Sequence, residues 1–149
     1  MSTPGMPDPM ARRFGYALKR AQHALRTRID EELRPLGVTA PQYAVLSAVE
    51  LDAGISNAAL ARAAFVTPQS MHGVLANLIR DGLLHREPDP AHGRKLRSGL
   101  TAKGRRILAQ AHERVREIED VMIGAIGTKE AARVAAELLQ CAESLGNAG

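Results

Sequence analysis

Apolar residues recur along most of the chain at the three- and four-residue intervals of amphipathic helices. The first series runs from Phe14 to Leu33 and predicts a long helix, which Pro35 and Gly37 end. A later series from Leu108 to Ala125 alternates intervals of three and four, the spacing that lets one helix lie along another. The last series, from Ala131 to Leu145, predicts a final helix with one apolar face.

Capping residues divide the middle of the chain into three shorter helices. Thr39 opens the first, which ends near Leu51, and a glutamine three residues after the threonine completes a capping box. Ser56 is the expected cap of a short helix that finishes near Ala64. The third runs from Thr67 to Asp81 and has proline at its first helical position, where proline is favoured.

The third of these helices has an outer face that differs from an ordinary solvent-facing surface. Its inner face carries apolar residues at helical spacing from Met71 to Ile79. The outer face has short or uncharged side chains in place of the usual glutamates and lysines, and only its last member is charged: Gln69, Ser70, His72, Gly73, Ala76, Asn77 and Arg80. Several of these side chains can hydrogen-bond to base edges in a major groove, which is wide enough to admit a helix.

A basic hairpin is expected directly after this helix. An apolar strand at Leu83–His85 leads into a loop shaped by Pro88, Pro90 and Gly93, and Lys95–Leu100 form the return strand. Two short helices joined by a tight turn and followed by such a hairpin form a winged helix-turn-helix candidate, whose loop can reach a minor groove beside the helix.

Charge is concentrated in the same region. Residues 80–106 hold eight basic and three acidic groups, for a local charge of +5, although the whole chain carries only +4. Residues 107–149 hold four basic and seven acidic groups, for a charge of −3. This distribution favours a polyanionic partner for the hairpin region. A helical protein–protein module whose basic hairpin docks an acidic partner is the alternative.

Other classes of protein are disfavoured by what the sequence contains. No window approaches the apolar length of a membrane span, and the single Cys141, expected to be a buried inert thiol, suits a reduced cytoplasm. We find no phosphate-binding glycine loop, nucleophile elbow or paired carboxylates, so an enzyme is not expected. The histidines lack metal-ligand spacing, and no cofactor is expected. Residues 1–10, rich in proline, are predicted to be disordered.

Three stretches resemble the MarR family of bacterial winged-helix transcriptional regulators: VTAPQYAVL (Val38–Leu46), NAALARAAFVTPQSMHGVLANLIRDGLLHREP (Asn57–Pro88) and GRKLRSGLTAKG (Gly93–Gly104). The resemblance implies a mainly α (α+β) fold, with the winged helix-turn-helix at residues 38–104. The N- and C-terminal helices, at residues 11–36 and 105–146, would form a dimerisation domain. One departure lies in the wing, where His92 replaces the aspartate that in the family helps to fix the wing.

The resemblance also implies a mechanism, namely a homodimeric repressor that binds a pseudo-palindromic operator and is released by a small aromatic or phenolic effector. It places Arg94 in a minor groove. By position, base reading falls to Gln69, Ser70, His72 and Gly73, and contact with the DNA backbone falls to Thr67, Asn77, Arg80, Arg86 and Lys95. The expected dimer contacts are Leu18, Leu25, Leu108, Val115, Ile118, Met122 and Leu138. Residues on segments that could line the effector pocket are Tyr16, His23, Tyr43 and His112.

Overall fold

The computed structural model describes residues 13–146, and this part of the chain forms six α-helices and one two-stranded antiparallel sheet. The helices are α1 (Phe14–Leu33), α2 (Ala40–Leu51), α3 (Asn57–Ala63), α4 (Pro68–Arg80), α5 (Ala102–Ile126) and α6 (Thr128–Ser144), and a 3-10 helix (Arg34–Leu36) follows α1. The strands are β1 (Leu84–Asp89) and β2 (His92–Leu100). The predicted mainly α winged-helix fold is confirmed, whereas the disorder predicted for residues 1–10 lies outside the described residues.

Side-chain caps begin four of the helices at the residues that the sequence predicts. The hydroxyl of Thr39 accepts from the backbone N–H of Gln42 at 3.2 Å, and the amide oxygen of Gln42 accepts from the N–H of Thr39 at 3.0 Å, which completes the capping box. In α3, α4 and α5 a hydroxyl likewise accepts from the N–H three residues on, the caps being Ser56, Thr67 and Thr101. Each cap satisfies an N–H that the helix leaves unpaired, so these boundaries follow from local sequence.

The hydrophobic core lies where α2, α3 and α4 pack against the first half of α5 and the base of the hairpin. Its fully buried side chains include Leu33, Val45, Leu46, Leu60, Met71, Leu78, Leu84 and Leu108. Gly104 permits the approach of α5 to the hairpin, because an ideal β-carbon at this position would lie 2.0 Å from the carbonyl oxygen of Leu83. The glycine therefore sets how closely α5 packs against the residue that leads into β1.

The hairpin is longer than the sequence predicts. Pro88 and Gly93, expected in the loop, lie in strands, because β1 continues to Asp89 and β2 already begins at His92. Pairing steps from Pro88 opposite Leu96 directly to Asp89 opposite His92, so residues 93–95 of β2 have no counterpart on β1 and form a bulge. Proline is tolerated in β1 because a two-stranded sheet leaves one edge of each strand unpaired.

The apolar face of α6 is open in the single chain, although the sequence predicts that the face from Ala131 to Leu145 is buried. None of the residues of α6 is buried, and Leu139 is largely exposed. Cys141, expected to be buried, is half-buried. Periodicity identified an apolar face correctly but could not tell whether this chain or another molecule covers it. On α4, Ile79 is also more exposed than its spacing predicts.

The apolar seam of α5 is divided between the core and the surface. Leu108 is 0% exposed, and Val115 and Ile118 are also buried within their own chain. The expected dimer contact through Leu108 is therefore corrected, because this side chain is already fully covered by the core. Toward the end of α5 the seam emerges, and Met122 is 43% exposed, as is Leu18 on α1. The surface that remains for a second molecule lies at this end.

Candidate nucleic-acid interface

The surface that the sequence assigns to DNA is the outer face of α4. Buried Met71, Leu75 and Leu78 hold the inner face against the core, which turns the opposite face to solvent. All the residues assigned to DNA on this helix and its cap are exposed: Thr67, Gln69, Ser70, His72, Gly73, Asn77 and Arg80. The sequence assignment therefore corresponds to one continuous exposed surface.

On this surface Ser70 is held by the helix cap, whereas no packing contact requires Gly73. The hydroxyl of Thr67 accepts from the backbone N–H of Ser70 at 3.1 Å and donates to the hydroxyl of Ser70 at 3.0 Å. Ser70 can therefore still donate its own hydroxyl proton outward. An ideal β-carbon on Gly73 would meet no atom of this chain within 4 Å. Internal packing therefore does not require glycine at position 73, whereas an external molecule that approaches the backbone closely would require it.

The base of the wing is held by Arg86. Its Nη2 donates to Oδ1 of Asn57 at 2.7 Å, and its Nε donates to the hydroxyl of buried Ser98 at 3.0 Å. The N–H of Ser98 in turn donates to the carbonyl of Ala53 at 2.9 Å. Burial lowers the pKa of Arg86, which nevertheless stays charged at physiological pH. The guanidinium assigned to a DNA phosphate is thus engaged inside the chain, where it joins β1 to β2 and α3.

Sequence reasoning missed Asn57 and Ser98 as partners of Arg86. Both are small polar residues, and Asn57 lies 29 positions from the arginine. In β2 the buried Ser98 follows the exposed Arg97, and nothing in the sequence around it signals this contact. Arg94 and Lys95, which the sequence assigns to DNA, lie in the three-residue bulge near the hairpin tip.

Further basic groups surround the junction between α4, the wing and α5. Nε of Arg80 lies 3.3 Å from a carboxylate oxygen of Asp81, and Nζ of Lys103 donates to the backbone carbonyl of Asp81 at 3.0 Å. Arg105 donates to the carbonyl of Leu100 at 3.0 Å. These side chains are exposed, so the positive charge counted in the sequence lies next to the end of the recognition helix.

A second candidate site is an open groove between α1, α2 and the turn that follows α3. This α1–α2 groove has a volume of about 270 Å³, and its wall includes Leu25, Arg26, Ile29, Tyr43, Ala44 and Phe65. Of the four residues expected near an effector, only Tyr43 lines this groove. Its hydroxyl shares a 2.7 Å hydrogen bond with Nδ1 of His112, and Nε2 of His112 lies 3.2 Å from Glu50. Burial raises the pKa of Tyr43, which keeps the phenol neutral.

Residues 13–146 contain neither a membrane-spanning helix nor a cluster of metal ligands. No helix there has the length and apolar character needed to cross a membrane. Nor do three or more metal-ligating side chains come together in this part of the chain. His112 joins α5 to α2 through Tyr43 and Glu50.

An exposed reading helix, preceded by a short helix and tight turn and flanked by a hairpin, defines a winged helix-turn-helix DNA-binding protein. The profile of the MarR family matches residues 36–95. The chain is 40% identical over 103 residues to the HTH-type transcriptional repressor Rv2887 of Mycobacterium tuberculosis (strain ATCC 25618 / H37Rv), which covers 69% of this chain and 74% of that protein. The chain belongs to the MarR family of winged-helix transcriptional regulators, which confirms the resemblance seen in the sequence.

Solved structures share the architecture over most of the chain. The transcriptional repressor CouR bound to a 23-mer DNA duplex has a TM-score of 0.82 at 26% identity, covering 94% of this chain and 99% of that one. The Mycobacterium tuberculosis protein Rv2887 in complex with salicylic acid has a TM-score of 0.72 at 32% identity, covering 87% and 96%. The chain is therefore a DNA-binding transcriptional regulator and not an enzyme, as the sequence predicts.

Proposed function

We propose that two copies of this chain bind a double-stranded operator in the cytoplasm and repress transcription until a small aromatic or phenolic ligand releases them. Each α4 enters a major groove, where Gln69, Ser70 and His72 read base edges and Gly73 lets the backbone approach. The observation that carries this proposal is the exposed, nearly uncharged outer face of α4 beside a basic junction. A solvated helix has no need of such a face.

Other polar and basic residues on and around that face have a separate role. Thr67, Asn77, Arg80 and Lys95 contact phosphates and position the protein, whereas Arg94 enters the adjacent minor groove from the bulge of the wing. Arg86 supports this arrangement from inside, because it holds the wing against α3. The structure of CouR on a DNA duplex supports the proposal through its similarity to this chain.

The dimer is proposed from two open apolar surfaces. A groove of about 670 Å³ between α1 and α5 is lined in part by Leu25, Ile118, Val121 and Met122. The open face of α6, with Leu138 half-buried, provides apolar surface of similar character. A second copy would cover both surfaces, and its two-fold symmetry would place the half-sites of the operator about 10 base pairs apart.

Release by a ligand is proposed for the α1–α2 groove. Its wall combines apolar side chains with Tyr43 and Phe65, a lining suited to a small aromatic ring. The related protein Rv2887 forms a complex with salicylic acid, which supports the chemical class of the ligand. Because the groove is bordered by both a dimerisation helix and the turn before α4, its occupant contacts both parts of the molecule.

Selection of bound duplexes from a random pool, followed by titration of the enriched sequence at several salt concentrations, tests DNA recognition. We expect an inverted repeat, and we expect Arg94→Ala to weaken binding and reduce the salt slope by about one while stability is retained. Arg133→Ala is the matched control, because Arg133 lies on α6 in exposed pairs with Glu130 and Glu137. Steep salt dependence without any preferred sequence would instead support the acidic-partner module.

A further inference from the structure

The turn between α3 and α4 contains a backbone conformation that is unusual for its residue type. The N–H of Val66 donates to the carbonyl of Ala61 at 3.0 Å, and the N–H of Phe65 donates to that of Arg62 at 3.2 Å. This pair of bonds is the Schellman motif, in which the residue at the position of Phe65 adopts a left-handed conformation and is usually glycine. Phe65 has a φ of 55° and is the only non-glycine residue with positive φ within residues 13–146.

Neither backbone preference nor burial accounts for phenylalanine at this position. A β-carbon is disfavoured in the left-handed region, so glycine would fit the turn better. The ring is also 91% exposed, and the core gains nothing from it. A residue that is both strained and exposed is an indication of function, since packing does not explain it.

Phe65 borders the α1–α2 groove at the point where the groove meets the DNA-binding lobe. Opposite the turn, Leu25 and Ile29 of α1 provide apolar wall, and Tyr43 contributes a second aromatic ring. Arg26 adds a cation, and its ion pair with Asp30 is long, at 3.9 Å from Nε to the carboxylate oxygen, and exposed. The volume of about 270 Å³ suffices for one substituted ring, since a cavity of about 150 Å³ already binds benzene.

We propose that Phe65 closes this groove over a planar aromatic carboxylate and transmits its presence to α4. The Phe65 ring stacks on the ring of the ligand, and the guanidinium of Arg26 pairs with the carboxylate. Thr67, the cap of α4, lies only two residues beyond Phe65, so a change in the turn moves the start of the recognition helix. This inference rests on the proposed function for its output, the release of DNA.

Coupling requires that the ligand contact Phe65 differently in the DNA-bound and released states. The ring is exposed and borders the groove, so it can fold onto an occupant of the groove. The free energy gained when the ring is buried against the ligand then offsets the strain of the left-handed backbone, or it allows that backbone to rearrange. Phe65 is in this sense a specificity-determining residue for the ligand and a positioning residue for α4.

The test compares Phe65→Gly and Phe65→Leu in the full-length protein, with salicylate as the probe and calorimetry as the measure of binding. We expect Phe65→Gly to unfold at a higher temperature than the parent, because glycine suits the turn. Both variants should bind salicylate about ten-fold more weakly, the effect of one lost aromatic contact. Release of operator by salicylate should be lost in both variants.

Phe14→Leu is the matched control, because Phe14 is also an exposed phenylalanine but lies at the start of α1, outside the groove. It should bind salicylate like the parent. Arg26→Gln should weaken the binding of salicylate but not that of phenol, which lacks the carboxylate. Parental salicylate affinity in both Phe65 variants, or no salicylate binding by the parent, would overturn the inference. If salicylate binding depends on Phe65 but no operator is found, the inference about ligand binding stands and the proposed DNA function fails.

Discussion

The guanidinium of Arg86 donates to the side-chain oxygen of Asn57 at 2.7 Å, and thereby ties the first strand of the wing to the start of α3. A second bond from the same group reaches Ser98 on the other strand at 3.0 Å. One half-buried side chain thus joins three elements of the DNA-binding lobe. The family usually has an aspartate that helps to fix the wing, whereas this chain has His92 at that position. The contacts of Arg86 hold the wing in this chain.

Arg86→Ala should destabilise the fold by about 1–2 kcal/mol, since it removes two charge-assisted hydrogen bonds from a partly exposed group. Amide exchange at Ser98 should accelerate, and operator affinity should fall because the wing is no longer positioned. Urea unfolding and exchange measured by NMR check both effects. Arg97→Ala, an exposed arginine of the same hairpin, is the control and should leave stability unchanged. A loss of affinity at parental stability would instead restore the phosphate contact first assigned to Arg86.

Two glycines should respond to alanine in opposite ways. Gly73→Ala should stabilise the protein by up to about 1 kcal/mol, because it lies inside a helix and its β-carbon meets nothing. The same change should weaken operator binding, since the added methyl faces the proposed groove of DNA. Thermal unfolding and titration of the selected operator measure the two effects. Equal or tighter binding by Gly73→Ala would argue against close approach at this point.

Gly104→Ala should destabilise the protein by about 2 kcal/mol or more, because its β-carbon would lie 2.0 Å from a backbone carbonyl oxygen that cannot move freely. The change forces α5 away from the residue that leads into the wing. Urea unfolding measures the loss, with Gly124→Ala as the control, since Gly124 is also inside α5 and its β-carbon would meet no atom of the chain. Stability equal to that of Gly124→Ala would contradict the packing described for α5.

Met122→Glu should shift the protein from dimer to monomer, because it places a charge on the apolar wall of the α1–α5 groove that a second copy is proposed to cover. Sedimentation velocity at several protein concentrations measures the shift. Leu51→Glu is the matched control, because Leu51 is an exposed leucine at the end of α2 and does not line that groove. If both variants sediment like the parent, the dimer lies on another surface.

The parts of the fold that depend on neighbouring residues could be predicted, and those that depend on distant ones could not. The hydroxyl caps at Thr39, Ser56, Thr67 and Thr101 act over three residues, so the sequence contains all that determines them. Asn57, one of the two partners of Arg86, lies 29 positions away, and no periodic pattern predicts the contact. An apolar seam such as that of α5 has the same spacing whether its own core or a second molecule covers it, and for this reason Leu108 was misassigned.

The pKa of Tyr43 provides a test of the contact between α2 and α5. Burial raises this pKa above the ordinary value of 10.0, and the carboxylates of Glu119 and Glu50 act in the same direction. Because the folded state favours the neutral phenol, the associated stability is fully present below pH 10 and is lost as the pH rises through the raised pKa. Tyr43→Phe cannot ionise, so its stability should fall less steeply than that of the parent above pH 10.

At neutral pH the same variant should be less stable by about 1 kcal/mol, since the hydrogen bond between the phenol and His112 is lost. Urea unfolding at pH 7, 9 and 10.5 separates the two effects. His112→Phe, which removes the other partner, should show a similar loss at pH 7 but keep a steep decline above pH 10, because its Tyr43 still ionises. Parallel pH profiles for the parent and Tyr43→Phe would mean that Tyr43 is as solvated in the folded protein as in the unfolded chain.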